Sequence, residues 1–486
     1  GAARGGAKKD GGVVHVVAGA PADLLEELAA LALGPDGGPP DAEVLRKRAQ
    51  AVRKAVKHAW DGYTRVAWGF DELRPVARRG VDGKFKHAVT MIDALDTLWI
   101  VGLKEEFNKA KEWLADNLPA KIRAIGKAAS VFETTIRSLG GLLSAYELSK
   151  EPVFLDLSKQ LGHRIVDAIK EGGIAPYLFG GGNGGSKCRT LAESGTTQLE
   201  LRYLAHVSGD DSFRARADEF YRTIQKYPSL DGLWPNCFQN GKGTITFGAD
   251  GDSFYEYLLK VWLQGGRKDD RLWSMYKAAA NALEKYLLHK SPDGLDLVGV
   301  GVWNGVPGEV KLSEEMEHLA CFVPGWLGLG AQYMEGEEKA RRMDLAESIA
   351  FTCWRMYERQ PTGIGPERVK RGLFDLSATD TREYILRPEA LEAWWYMHEL
   401  TGKQQYREWG WKAFQAFEKH LWVPSGYASL KDVRDTSKGH LDRMESFFLA
   451  ETLKYAYLLQ DPDHEVKLDR YVMNTEAHPL PILGAL

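Results

Sequence analysis

The feature that most restricts the fold is a recurring junction in which an apolar helical stretch meets a short polar break and an amphipathic helix opens after it. The breaks are Val101-Gly-Leu-Lys-Glu-Glu-Phe107, Leu148-Ser-Lys-Glu-Pro-Val-Phe154, Val207-Ser-Gly-Asp-Asp-Ser-Phe213, Gln264-Gly-Gly-Arg-Lys-Asp-Asp270, Met334-Glu-Gly-Glu-Glu-Lys339, Leu400-Thr-Gly-Lys-Gln-Gln-Tyr406 and Leu459-Gln-Asp-Pro-Asp463. They stand about 50 to 70 residues apart, a period that suits helical hairpins joined by loops of variable length. The first helix of each unit is the more apolar, as over Ala390 to His398, while the second carries one apolar stripe with charges opposite, as over Phe154 to Ile169. Helices apolar all round belong inside and amphipathic ones outside. The expected fold class is therefore all-α, with seven hairpins in two layers. Closure into a ring is favoured over an open solenoid, which needs polar capping units that the last unit does not supply.

The entries to the inner helices carry the chemistry. Tyr384 to Tyr396 reads as a helix entered through Arg387 with Pro388 in its first turn, where a missing N–H costs nothing. It is apolar on nearly every side, yet Glu389 and Glu392 lie one turn apart on one face. Unpaired carboxylates there would cost several kcal/mol. A buried ion pair with Arg387 explains one such helix, but the pattern recurs at Phe132-Glu-Thr-Thr-Ile-Arg137, Ala192-Glu-Ser-Gly195, Gly251-Asp-Ser-Phe-Tyr-Glu256, Met316-Glu-His-Leu319 and Met444-Glu-Ser-Phe447. In a closed ring with parallel inner helices, Glu133, Glu193, Asp252, His318, Glu389 and Glu445 meet at one mouth, with Arg137 and Arg387 among them. Such a ring of acids suits a neutral polar ligand or a cation, and helix N-termini favour the carboxylates.

The remaining features narrow the class. A net charge of −4 without a basic stripe argues against nucleic acid. Cys188, Cys237, Cys321 and Cys353 never fall at CxxC spacing, so they form neither a zinc set nor a disulfide framework legible from spacing. Residues 1–42 are rich in Gly, Ala and Pro and read as a flexible stem or linker before a catalytic domain over 43–486, with one short helical pattern near Ala22 to Leu33. The start at Gly1 rather than Met suggests a processed or truncated beginning, and no run of about 18 apolar residues spans a bilayer.

From about His58 to the C-terminus the chain resembles the class I α-1,2-mannosidases, the family 47 glycoside hydrolases of the endoplasmic reticulum and Golgi. The resemblance rests on Ala67-Trp-Gly-Phe-Asp-Glu-Leu73, Met91-Ile-Asp-Ala-Leu-Asp-Thr-Leu-Trp99, Phe132-Glu-Thr-Thr-Ile-Arg137, Gly251-Asp-Ser-Phe-Tyr-Glu-Tyr257, Leu386-Arg-Pro-Glu389, Met444-Glu-Ser-Phe447 and Asn474-Thr-Glu-Ala-His-Pro479. It implies an (α/α)7 barrel with a C-terminal plug around Asn474-Thr-Glu476 entering from the far side. It also implies a Ca²⁺ held by Thr475, and an inverting exo-hydrolase acting on high-mannose N-glycans. Glu133 is implied as acid, Glu389 as base and Asp252 as a third essential carboxylate. Arg137, Glu193, His318, Arg387, Glu392, Glu445 and Glu476 would position sugar and waters. A Cys321–Cys353 disulfide and a lumenal compartment are implied too, with Cys188 and Cys237 expected as buried free thiols. The expected protein is a monomer, truncated from a type II membrane protein and attached to a membrane only through an anchor outside this chain.

Two departures bear on specificity. Asp250 stands where endoplasmic-reticulum members carry arginine and Golgi-type members an apolar residue, and Leu178 to Ser186 is short and glycine-rich where relatives often have a longer loop. Both point to Golgi-like removal of several mannoses. The alternative is a glycan-recognising endoplasmic-reticulum degradation protein of the same fold.

Overall fold

Inner helices without a polar face need neighbours on every side, and the chain supplies them as a ring within a ring. The computed structural model describes residues 19–34, 38–83, 85–181, 188–313, 315–370 and 381–484. The outer ring holds α1 (Ala42–Val66), α3 (Lys104–Arg123), α5 (Pro152–Ala168), α7 (Ser212–Ile224), α9 (Asp270–Tyr286), α11 (Gly336–Glu358) and α13 (Gln405–His420). The inner ring holds α2 (Leu95–Ile100), α4 (Gly140–Ser149), α6 (Gln198–Ser208), α8 (Asp252–Gln264), α10 (Val323–Ala331), α12 (Glu389–Thr401) and α14 (Leu453–Gln460). Every residue of α10 and α14, and all of α8 after Asp252, is buried. Outer α1 instead buries one stripe that includes Val52, Val56, Trp60 and Tyr63, and Asp41 caps it by accepting from the Val44 N–H at 2.9 Å.

Six of the seven units are hairpins in sequence order. The seventh is not: among the described residues no outer helix follows the Leu459 to Asp463 break, and α14 packs against α1 instead. The chain thus closes its ring by pairing its last inner helix with its first outer one. Another boundary also differs from the sequence reading. α12 begins at Glu389, with Pro388 as the residue that precedes it rather than inside its first turn, and the residues before the proline stay out of the helical region. Tyr384 instead bridges to Leu430, and Leu386 has φ of 73°.

Wide helical turns shape the mouth. α4 is entered through a turn at Val131–Glu133, capped by Ser130, and a π-helical segment at Thr134–Leu139. A second π segment, Phe448–Thr452, leads into α14; such segments are frequent at functional sites. The plug is a β-hairpin in which Tyr471–Met473 pairs with Pro479–Pro481. Its base is tied by Leu483 N–H to Gln264 O at 2.8 Å, at the last residue of α8, while its tip brings Thr475 N to 3.4 Å from the Tyr257 hydroxyl, near the start of α8. The hairpin therefore enters from the end where the inner helices finish. Asn474 shapes the tip: its Oδ1 accepts from the N–H of Glu476 (2.9 Å) and His478 (2.8 Å), and its Nδ2 donates to Ile136 O and Glu200 Oε1. A Cβ at Gly140 would lie 2.5 Å from that Nδ2, so this approach needs glycine.

Part of the expected stem is docked. The helix Ala22–Ala30 lies on α13, with Leu28 buried and its carbonyl accepting from Gln415 at 3.0 Å; residues 1–18 and 35–37 lie outside the described set. Among the described residues, no helix is long and apolar enough to cross a membrane.

All four cysteines are paired. Cys321–Cys353 joins the entry of α10 to α11, and Cys188 is bonded to Cys237, which corrects the expectation of two free thiols. Their separation of 49 residues left no spacing signal; the two meet because the helical turn at Leu191–Gly195 is held to the loop carrying Cys237, Leu191 N–H donating to Asn236 O at 3.0 Å. In the chain-entropy description, closing loops of 32 and 49 residues contributes about 4 kcal/mol each. Replacing Cys188 and Cys237 by Ala should thus lower unfolding free energy by about that much, read from denaturant melts. A free thiol titrating in the unreduced, denatured protein would contradict either bridge.

Candidate active site

The mouth of the barrel opens into a cavity of about 320 Å³ whose wall includes Thr475 and Glu476 of the plug tip. Glu133, Arg137, Glu193, Asp250, Asp252, Arg387, Glu389 and Glu392 line it as well. Two expected residues stand back from it. His318 is fully buried behind Glu389, and Glu445 is ion-paired to Arg443 beside the entrance.

Each inner-helix entry fixes its side chain by a local device. Ser130 accepts from the Glu133 N–H at 3.2 Å, and four residues on Arg137 donates from Nε to Glu133 Oε2 at 2.7 Å. The same guanidinium reaches Glu476 Oε1 at 2.7 Å and the Ser446 hydroxyl at 2.9 Å, so one cation ties the α4 entry to the plug. Burial works against its charge, but Glu133, Glu476 and Asp93 more than offset this. Glu193 closes a capping box with Thr190, and burial pushes it up to about 7. Asp250 sits in a left-handed turn with φ of 72°, and burial, then Glu317, raises its pKa.

Asp252 and Glu389 are driven apart by their surroundings. Burial, with repulsion from Glu256, Glu317 and Glu389, holds the Asp252 carboxyl well above the usual range, despite the Ser253 N–H it accepts at 2.8 Å. Burial alone would raise Glu389 too, but the His318 hydrogen bond at 2.9 Å and the Arg387 charge at 3.8 Å hold it below the usual value. Two carboxyls in one cavity are thus pushed in opposite directions, the arrangement that lets an acid and a base coexist.

The sequence reading missed three residues here. Glu256 and Glu451 also line the cavity, and Lys260 is buried beside it, ion-paired to Glu256 and 3.7 Å from Glu392 Oε1. Burial pushes Glu392 to about 8 and Glu451 well above its normal range. A charged residue inside an otherwise apolar inner helix was the available signal. Behind the wall, His478 lies between Asp93 (3.1 Å) and Asp96 (2.8 Å), and Lys454 pairs with Asp96 at 2.9 Å.

The glycosyl hydrolase family 47 profile matches residues 55–482. The chain belongs to glycosyl hydrolase family 47. This family 47 chain is 38% identical to the human mannosyl-oligosaccharide 1,2-alpha-mannosidase IB, covering 93% of this chain and 72% of that protein. It is 39% identical to the mannosyl-oligosaccharide 1,2-alpha-mannosidase MNS1 of Arabidopsis thaliana, covering 92% and 80%. The solved alpha-1,2-mannosidase from Trichoderma reesei superposes with a TM-score of 0.79 at 26% identity, covering 90% of this chain and 99% of that one. The two-layered ring is accordingly the (α/α)7 barrel of a family 47 glycosidase.

Proposed function

We propose that this family 47 enzyme removes terminal α-1,2-linked mannose from high-mannose N-glycans with inversion of the anomeric centre, in the lumen of the secretory pathway. The observation that carries the reading is the split pair: Glu389 pushed towards its ionised form and Asp252 towards its protonated form in one cavity closed at its base by the plug. Inversion requires one carboxyl to protonate the leaving oxygen while another takes a proton from water on the opposite face. Glu389 takes the water proton as the oxygen bonds to C1. The C1–O bond to the leaving sugar breaks, and its oxygen accepts a proton. Glu133, implied as the acid, is ion-paired to Arg137, so we place the transferable proton on Asp252 and give Glu133 the polarising position that Arg137 fixes.

The donor set fits calcium. Glu256, Glu392, Glu451 and Glu476 share the cavity with Thr475, and burial raises the last three carboxyls for want of enough positive charge. No group of three His, Cys, Asp or Glu side chains among the described residues gathers tightly enough to hold a metal. The ion would be held by Thr475 oxygens, waters and sugar hydroxyls, with the carboxylates binding the waters. When bound, Ca²⁺ supplies charge that orients sugar hydroxyls and the attacking water. The residues of the chain position and exchange the protons.

Asp250, on the cavity wall, is the candidate for branch choice. Arginine offers a fixed fork of donors to several hydroxyls, and a carboxylate makes fewer and differently directed contacts. The other expected determinant, the stretch Leu178 to Ser186, falls partly on residues 182–186, which lie outside the described set. We expect a nine-mannose glycan to be trimmed past eight mannoses towards five. Asp250→Arg should slow the later cleavages more than the first, by about tenfold or more. A time course in which the unmodified enzyme stops at one eight-mannose isomer would overturn this part of the reading.

A further inference from the structure

His318 is wholly buried, yet both of its ring nitrogens are engaged. Nδ1 lies 2.9 Å from Glu389 Oε2, and Nε2 lies 2.8 Å from the hydroxyl of Tyr357, a buried residue of α11. Which nitrogen carries the proton is set by what the other one meets. An ionised carboxylate oxygen at 2.9 Å demands an N–H, since two facing lone pairs would repel. With the ring proton on Nδ1, Nε2 presents a lone pair, and the hydroxyl within reach of it is that of Tyr357 at 2.8 Å. Tyr357 is therefore the donor to Nε2.

We propose that Tyr357 is a positioning residue for the catalytic base: its hydroxyl donates to His318 Nε2, which places the ring proton on Nδ1 and directs it at Glu389. This inference rests on the reading of Glu389 as the base. The charged groups facing Glu389 leave the task to this chain of contacts. Asp252, Glu392 and Glu451 all repel its charge, and the cation Arg387 keeps its shorter contact for Glu367 at 2.9 Å while its Nη1 stays 3.8 Å from Glu389. Without the Tyr357 donor, the ring is free to hold its proton on Nε2 and turn a lone pair towards Glu389. The carboxylate then keeps a proton to a higher pH, and a base needs that proton gone.

Tyr357→Phe keeps the ring, which packs edge-on against Trp394 at 5.4 Å, and removes only the donor. In the calcium-loaded enzyme, the acidic limb of the kcat/KM profile should move up by about one to two pH units, since a hydrogen bond to a charged group contributes about 1.5–3 kcal/mol. The alkaline limb, set by Asp252, should stay in place, with kcat falling and KM little changed. A purely structural role would lower the rate at every pH and leave both limbs where they were, which overturns the proposal. An independent measurement covers a variant that does not fold. ¹⁵N-histidine NMR of the unmodified holoenzyme, with His318 assigned by its loss in His318→Gln, should show a protonated Nδ1 and an accepting Nε2. Protonation at Nε2, alone or together with Nδ1, would contradict the inference. Near-normal activity in Glu389→Gln would instead mean that the base itself is misassigned, so the two failures are distinct.

Discussion

Glu389→Gln and Asp252→Asn should each lower kcat by about 10²- to 10⁴-fold, because a positioned general acid or base contributes that much. The corresponding barrier increase is about 3–5 kcal/mol. Amides keep the shape of the acids, so melting temperatures should move little, and the loss is chemical rather than structural. The pH profile separates the roles. Glu389 is held below the usual carboxylate value by His318 and Arg387 against the effect of burial, so activity is lost as pH falls through its depressed pKa. Asp252 is held well above by burial and its acidic neighbours, so activity is lost as pH rises through its elevated pKa. The residual activity of Glu389→Gln should therefore lack the acidic limb, and that of Asp252→Asn the alkaline one. An unchanged bell in either variant would reassign that limb.

Removing calcium should abolish hydrolysis altogether and lower Tm. A ligand bound only by the folded state at one hundred times its Kd contributes about 2.7 kcal/mol. Protonation weakens the carboxylates that would hold the ion's waters: Glu392 is raised to about 8 by burial and by Glu256 and Glu389, despite Lys260. Calcium affinity should thus strengthen as pH rises, with protons released on binding. Calorimetry in two buffers of different ionisation enthalpy reads that release. Thr475→Ala should weaken binding and stabilisation together. Full activity in protein shown to be metal-free would contradict the assignment.

Much of this was legible because inner and outer helices differ in sequence. A helix such as α8, apolar on every side, cannot lie at the surface, so its position and the clustering of helix entries follow from periodicity. The same uniformity hid other residues. Glu256 and Glu451 lie within apolar runs, and with no polar face to orient those helices, nothing local showed that their side chains point to the axis. Tyr357 reads as an ordinary core residue of α11, and only tertiary packing puts its hydroxyl on His318. Cys188 and Cys237 meet across two loops. The pairing of α14 with α1 likewise escapes any reading in chain order, because ring closure joins the most distant elements.

The central claim is a water attacking C1 opposite the leaving sugar, with Glu389 as base and Asp252 as the proton source. Proton NMR of a high-mannose glycan, recorded in the first minutes of hydrolysis before the free sugar mutarotates, tests it most directly. The account predicts that β-mannose appears first and α-mannose grows in later. Initial release of α-mannose would show a retaining mechanism and contradict it.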